Sequence, residues 1–147
     1  MKLLVVTGMS GAGKSLALKM LEDCGYETLD HVPHALLRAI ANSTEQKRNL
    51  AIGVNVSAKD FSPKTFIEIV ESLRANKALE CKLVFLDSDD EMLSQRLQEI
   101  GEQHPLLPDR TIRDGIKYER DLLMPVRDTA DMVIDSSDYE DLDLRKF

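Results

Sequence analysis

The chain is expected to adopt an α/β fold, a parallel sheet of about five strands with helices on both faces, and three features predict it. Short apolar runs alternate with helical patterns along the whole sequence. Those runs are nearly continuous in Val, Leu and Ile, the composition of strands covered on both sides. Parallel strands need crossover connections, and the segments between the runs are long enough to supply them as helices. At 147 residues the chain is one domain, and 43% hydrophobic residues fill the core of a domain that size.

The elements follow in order. Leu3–Thr7 is the first strand, and after a glycine-rich turn a helix starts near Lys14 with Leu16, Ala17, Leu18, Met20 and Leu21 as its apolar positions. Tyr26–Asp30 and Leu50–Val56 are the next strands. Ser62 caps and Pro63 opens a helix in which Phe66, Ile67, Ile69, Val70 and Leu73 share one face. Lys82–Asp87 is a fourth strand, followed by a helix from Asp89 to about Ile100. Thr111 with Asp114 forms a capping-box-like start for a last helix that buries Ile112, Ile116 and Leu123 and is expected to stop at Pro125. Met132–Asp135 is the fifth strand. The polar, Pro-containing stretch Gly101–Arg110 reads as a mobile loop, and Asp138–Asp143 as an acidic tail.

Nineteen Lys and Arg against twenty-six Asp and Glu give a net charge of −7, so the field of the whole molecule repels polyanions and RNA binding by this domain alone is disfavoured. No membrane contact is expected: the apolar run near the start, Leu3–Val6, is too short for a signal peptide or a spanning helix, which predicts a cytoplasmic protein. Cys24 and Cys81 lie far apart, without the spacing of a zinc site, and read as small buried hydrophobes.

The sharpest signal is Gly8-Met9-Ser10-Gly11-Ala12-Gly13-Lys14-Ser15, a complete G-x-x-x-x-G-K-[ST] between a strand and a helix. Small residues let N–H groups turn inward, and the helix start adds unpaired donors and the positive end of its dipole. A polyphosphate fits such a cradle, so the fold is predicted to be of the P-loop NTPase type. Lys14 would bridge the β and γ phosphates, and the Ser15 hydroxyl would reach Mg²⁺. For the metal's protein carboxylate, Asp87 has the better local pattern, at the end of an apolar strand. In P-loop kinases, however, the strand beside the cradle strand is typically the third, which here ends at the neutral Asn55, and Asp30 is then a substitute. Asp87 reads equally well as a helix cap, and Asp30 somewhat better as a cap than as a metal ligand, since both precede helical segments.

Beyond the cradle come Leu21-Glu22-Asp23-Cys24-Gly25-Tyr26, Asp30-His31-Val32-Pro33, Phe85-Leu86-Asp87-Ser88-Asp89, His104-Pro105-Leu106, Glu119-Arg120-Asp121-Leu122-Leu123-Met124-Pro125-Val126-Arg127, Ala130-Asp131 and Val133-Ile134-Asp135-Ser136-Ser137. In these strings the chain resembles, end to end, the nucleotide-binding domain of the RapZ family of RNase adapter proteins, whose Gram-positive relatives are called YvcJ. The resemblance implies ATP and GTP binding with slow hydrolysis in a regulatory protein that acts on a protein partner. It also implies a second domain, absent from these residues, for RNA and partner contacts. Two departures imply weak turnover. Asn55-Val56-Ser57-Ala58 stands where the family has Asp-Val-Arg-Asn, and Gly101, Glu102 and Gln103 stand where it has paired arginines.

Arg120 and Arg127 are the guanidinium groups that would stabilise charge on a transferring phosphoryl group, or else form surface ion pairs. His104 reads as a base, a sugar contact or a turn residue, and Asp89-Asp90-Glu91 as a solvated helix start. The leading expectation is a regulatory domain that binds Mg·ATP or Mg·GTP and hydrolyses it slowly, with Lys14 and Arg127 as catalytic groups. The alternatives are a small-molecule kinase of the shikimate or nucleoside type, with Asp30 as acceptor-side base, and a non-catalytic module in which nucleotide occupancy selects a shape for a partner.

Overall fold

In the computed structural model the described residues are 2–42, 48–56, 61–101, 106 and 111–136. Five parallel strands, β1 (Lys2–Gly8), β2 (Glu27–Val32), β3 (Leu50–Val54), β4 (Glu80–Asp87) and β5 (Met132–Asp135), stand in the order β2-β3-β1-β4-β5. The glycine-rich turn leads into α1 (Lys14–Asp23); a short 3₁₀ turn (His34–Leu36) and α2 (Leu37–Asn42) join β2 to β3. Then α3 (Pro63–Arg74) joins β3 to β4, and α4 (Asp90–Ile100) and α5 (Ile112–Thr129) lie between β4 and β5. With right-handed crossovers, α1 steps outward to β2 while the later connections run the other way, so helices cover both faces.

Burial explains why the strands read as unbroken apolar runs. All five residues of β3 are buried, and Leu3, Val5, Leu83, Phe85 and Leu86 are fully enclosed. Phe66 and Val70 of α3 and Ile116, Leu123 and Val126 of α5 pack onto this sheet, with α3 in contact with α5. The Asp131 carboxylate accepts from the Leu83 N–H at 2.7 Å and from Arg74 Nη2 at 2.8 Å, which ties the turn after α5 to β4 and α3.

The caps form as their chemistry dictates. Ser62 Oγ accepts from Thr65 N–H, Asp89 Oδ1 from Met92 N–H and Thr111 Oγ1 from Asp114 N–H. Asp89 therefore caps α4, and Asp87 does not. Three expectations need correction. Strand β3 ends at Val54, and Asn55 N–H instead bonds Val32 C=O at 3.0 Å. Helix α5 runs through Pro125 to Thr129, because burial of Leu123 and Val126 on either side holds it. Pro125 lies on the exposed side of the helix, and its missing N–H costs the helix one backbone hydrogen bond. Cys24 is exposed at the C-terminal end of α1, and Cys81 is only half-buried, its thiol pushed up to about 11 by burial. His104, Ser57, Ala58 and Arg110 and the acidic tail lie outside the described residues.

Candidate functional site

Between β1 and α1, Gly8, Met9, Ser10, Gly11, Ala12, Gly13, Lys14 and Ser15 form one tight turn at the C-terminal end of the sheet, where ligands of open α/β sheets gather. Gly8 runs alongside β4 so closely that a Cβ there would lie 2.2 Å from Leu86 O. Gly11 and Gly13 turn the chain through the left-handed region, φ 87° and 91°, and Gly13 is the N-cap of α1. The first intrahelical bond runs from Ala17 N–H to Gly13 C=O at 3.0 Å, so the amides of Lys14, Ser15 and Leu16 lie ahead of the helix's own hydrogen-bond ladder.

Other amides of the turn are used to shape it. Met9 N–H bonds Leu86 C=O at 3.0 Å, and Ala12 N–H bonds Met9 C=O at 3.0 Å. Ser10 donates its N–H to Glu119 Oε1 at 2.7 Å and its hydroxyl to Oε2 at 2.6 Å. Arg96 of α4 donates to Gly11 C=O at 3.0 Å and to Ser136 C=O at 2.9 Å. Sequence reasoning passed over Glu119 and Arg96: each sits in a charged stretch of an amphipathic helix, and only a contact across 109 or 85 residues separates it from its solvated neighbours.

Strand β2 brings a carboxylate to the same place. The β2–β3 register shifts between Leu29 and Val32, and His31 adopts φ 55°, an uncommon conformation for a residue with a side chain. This kink puts Asp30 Oδ1 3.3 Å from Lys14 Nζ and Oδ2 3.3 Å from Ser15 Oγ, while Lys14 Nζ also donates to Val54 C=O at 3.3 Å. Gly53 leaves the room, since a Cβ there would lie 2.5 Å from Asp30 Oδ1. Burial pushes the Asp30 pKa up, but the His31 N–H and the Lys14 ammonium outweigh it, and the carboxyl titrates below its ordinary value.

Asp87 sits apart, in an ion-pair cluster at the end of β4. Arg120 Nη1 reaches both its oxygens, at 3.0 and 2.9 Å, and Arg127 Nε lies 3.4 Å from Oδ2. Arg120 also binds Asp90 Oδ1 at 2.6 Å and Ser88 C=O at 3.1 Å. Burial opposes the Arg120 charge, yet these hydrogen bonds prevail and its pKa is raised. Of the three metal-site alternatives, then, the fold sets Asp30 against Ser15, pairs Asp87 with arginines, and leaves Asn55 at the β2–β3 junction. Among the described residues no group of three His, Cys, Asp or Glu is arranged as a metal cage, and no helix is long and apolar enough to cross a membrane.

Known proteins share this architecture. A shikimate kinase from Bacteroides thetaiotaomicron superimposes with a TM-score of 0.61 at 17% identity, over 95% of this chain and 89% of that one. The YorR protein of Bacillus subtilis, solved in complex with phosphorylated GDP, gives a TM-score of 0.60 at 15% identity, over 92% and 86%. At these identities the likeness is one of fold, the α/β fold of P-loop kinases. In sequence, a nucleotide-binding protein of Rhodospirillum centenum is 43% identical over 142 residues, 97% of this chain and 42% of its own length. One from Rhizorhabdus wittichii is 41% identical over 143 residues, 93% of this chain and 45% of its own. The chain thus spans less than half the length of these curated relatives. The family model of the RapZ-like N-terminal domain matches residues 1–147, and the chain belongs to that family.

Proposed function

We propose that this domain binds Mg·ATP or Mg·GTP in the turn Gly8–Ser15, hydrolyses it slowly with water as nucleophile, and acts as a regulatory domain toward a protein partner in the cytoplasm. The observation that carries the reading is the convergence of Lys14, Ser15 and Asp30 at the start of α1, beside amides that precede the helix ladder. Relatives about 40% identical carry the name nucleotide-binding protein, which supports it. Arriving phosphates would take the Lys14 ammonium from Asp30, leaving the carboxylate and the Ser15 hydroxyl as hard oxygen donors suited to Mg²⁺, which commonly combines one or two carboxylates with phosphate oxygens. Bound there, the metal would neutralise charge on the β and γ phosphates.

Slow turnover has a geometric rationale. Phosphoryl transfer depends on positioning and on cations at the departing group. Arg127, the guanidinium proposed for that task, is held by Asp87, as is Arg120. Lys14 therefore carries most of the charge stabilisation. Lys14→Ala is expected to abolish binding of Mg·ATP and Mg·GTP in calorimetric titrations at moderate ionic strength; unchanged affinity contradicts the reading. If wild-type protein binds tightly but releases no phosphate over hours, it is the non-catalytic module.

Asp30 favours a second reading. A carboxylate 3.3 Å from the loop lysine is placed to take a proton from an acceptor hydroxyl, as the small-molecule kinase alternative requires. Phosphoryl transfer to a metabolite much faster than to water would establish it, and transfer to water alone would dismiss it.

A further inference from the structure

Glu119 is an unusual residue to enclose. It lies mid-way along α5 with no exposed surface, although the helix is otherwise charged along its outer side. Removing a carboxylate from water costs several kcal/mol, and an apolar side chain of similar volume commonly fills such a position at equal or better stability. Its two oxygens accept the N–H and the hydroxyl of one residue of the phosphate turn, Ser10.

The consequence lies in the peptide planes. The Met9–Ser10 peptide is held at both ends, its N–H by Glu119 and its C=O by the Ala12 N–H. The Gly11–Ala12 peptide is also held at both ends, its C=O by Arg96 and its N–H by the Met9 C=O. Between two fixed planes, the Ser10–Gly11 peptide and the chain leading to Gly13 have little freedom left. A glycine-rich turn would otherwise sample many conformations and lose that entropy on binding a ligand. We infer that Glu119 is a positioning residue: through Ser10 it presets the turn in its phosphate-binding shape, with Arg96 bracing the other limb. The inference rests on the nucleotide reading above.

The test compares Glu119→Gln, which keeps an acceptor for the Ser10 N–H and a partner for its hydroxyl, with Glu119→Met, which fills the space and keeps neither. Mg·ATP affinity is read by calorimetry, the unfolding midpoint by calorimetric scanning without nucleotide. Losing these hydrogen bonds weakens binding by about tenfold or more in Glu119→Met, while Glu119→Gln stays within about threefold of wild type. The unfolding midpoint of Glu119→Met is expected to equal or exceed that of Glu119→Gln, so affinity and stability move apart. Equal affinity in all three proteins, or affinities that simply follow the unfolding midpoints, overturns the inference. If Glu119→Met does not fold, Ser10→Ala takes its place: it loses only the hydroxyl bond and is expected to bind about threefold more weakly, and wild-type affinity overturns the inference. If wild-type protein binds neither Mg·ATP nor Mg·GTP, the nucleotide reading has failed. Glu119 is then judged by amide exchange at Ser10 in the free protein, which should be about tenfold faster in Glu119→Met than in Glu119→Gln or, where Glu119→Met does not fold, about tenfold slower in wild type than in an unstructured chain; equal rates refute the preset turn.

Discussion

Asp30 concentrates the chemistry of the site in one side chain. It meets Lys14 and Ser15, and its folded-state pKa is lowered: burial, which would raise it, is outweighed by the His31 N–H and the Lys14 ammonium. A carboxyl depressed in the folded state contributes stability above its unfolded pKa, near ~4, and that contribution is lost as pH falls through the lower folded value. Wild-type stability in urea should therefore fall faster between pH 5 and pH 2 (approximate limits from the reference carboxylate range) than that of Asp30→Asn. Identical pH profiles for the two proteins would show that the ion pair with Lys14 has no weight in solution. Asp30 could be nominated from sequence because it ends an apolar run. Its partners could not, since a register shift and a left-handed His31 aim it, and neither has a signature in residue type.

At the scale of elements, α5 is the brace of the site. One turn of it carries Glu119 toward Ser10 and Arg120 toward Asp87, Asp90 and Ser88, and Arg127 reaches Asp87 from two turns further on. The Arg120 side chain is 27% exposed and that of Arg127 42%, against 11% for Asp87, so the two ion pairs differ in worth. Arg120→Ala should cost about 2–3 kcal/mol in urea unfolding, since it leaves a nearly buried carboxylate short of donors, and Arg127→Ala less than about 1 kcal/mol. Equal losses would show that exposure does not rank them. The start of this helix was legible, because the Thr111 cap is a local hydrogen bond. Its end was not: the proline rule counts a lost N–H bond but not the burial of Val126 beyond it. The cap of α3 and all five strands were similarly legible from local patterns. The cap at Asp89 removes one of the two roles that sequence left open for Asp87, that of helix cap, and the structure pairs Asp87 with Arg120.

For the whole molecule, net charge −7 and the strand order β2-β3-β1-β4-β5 together place a phosphate-shaped turn at the C-terminal end of the sheet in an otherwise acidic domain. The positive potential that a polyanion needs is local, from Lys14 and the start of α1, while the global field works against nucleic acid. That contrast suits the proposed triphosphate better than it suits an RNA strand. The turn was visible in sequence because eight adjacent residues carry its chemistry; the braces were invisible because they come from α4 and α5, far along the chain. The most direct measurement is a crystal structure of the protein with Mg²⁺ and a non-hydrolysable ATP analogue. The account predicts triphosphate oxygens within about 2.7–3.2 Å of the Lys14 and Ser15 amides and of Lys14 Nζ. A saturated crystal with the nucleotide bound elsewhere, or with the Gly8–Ser15 turn closed and empty, would contradict it.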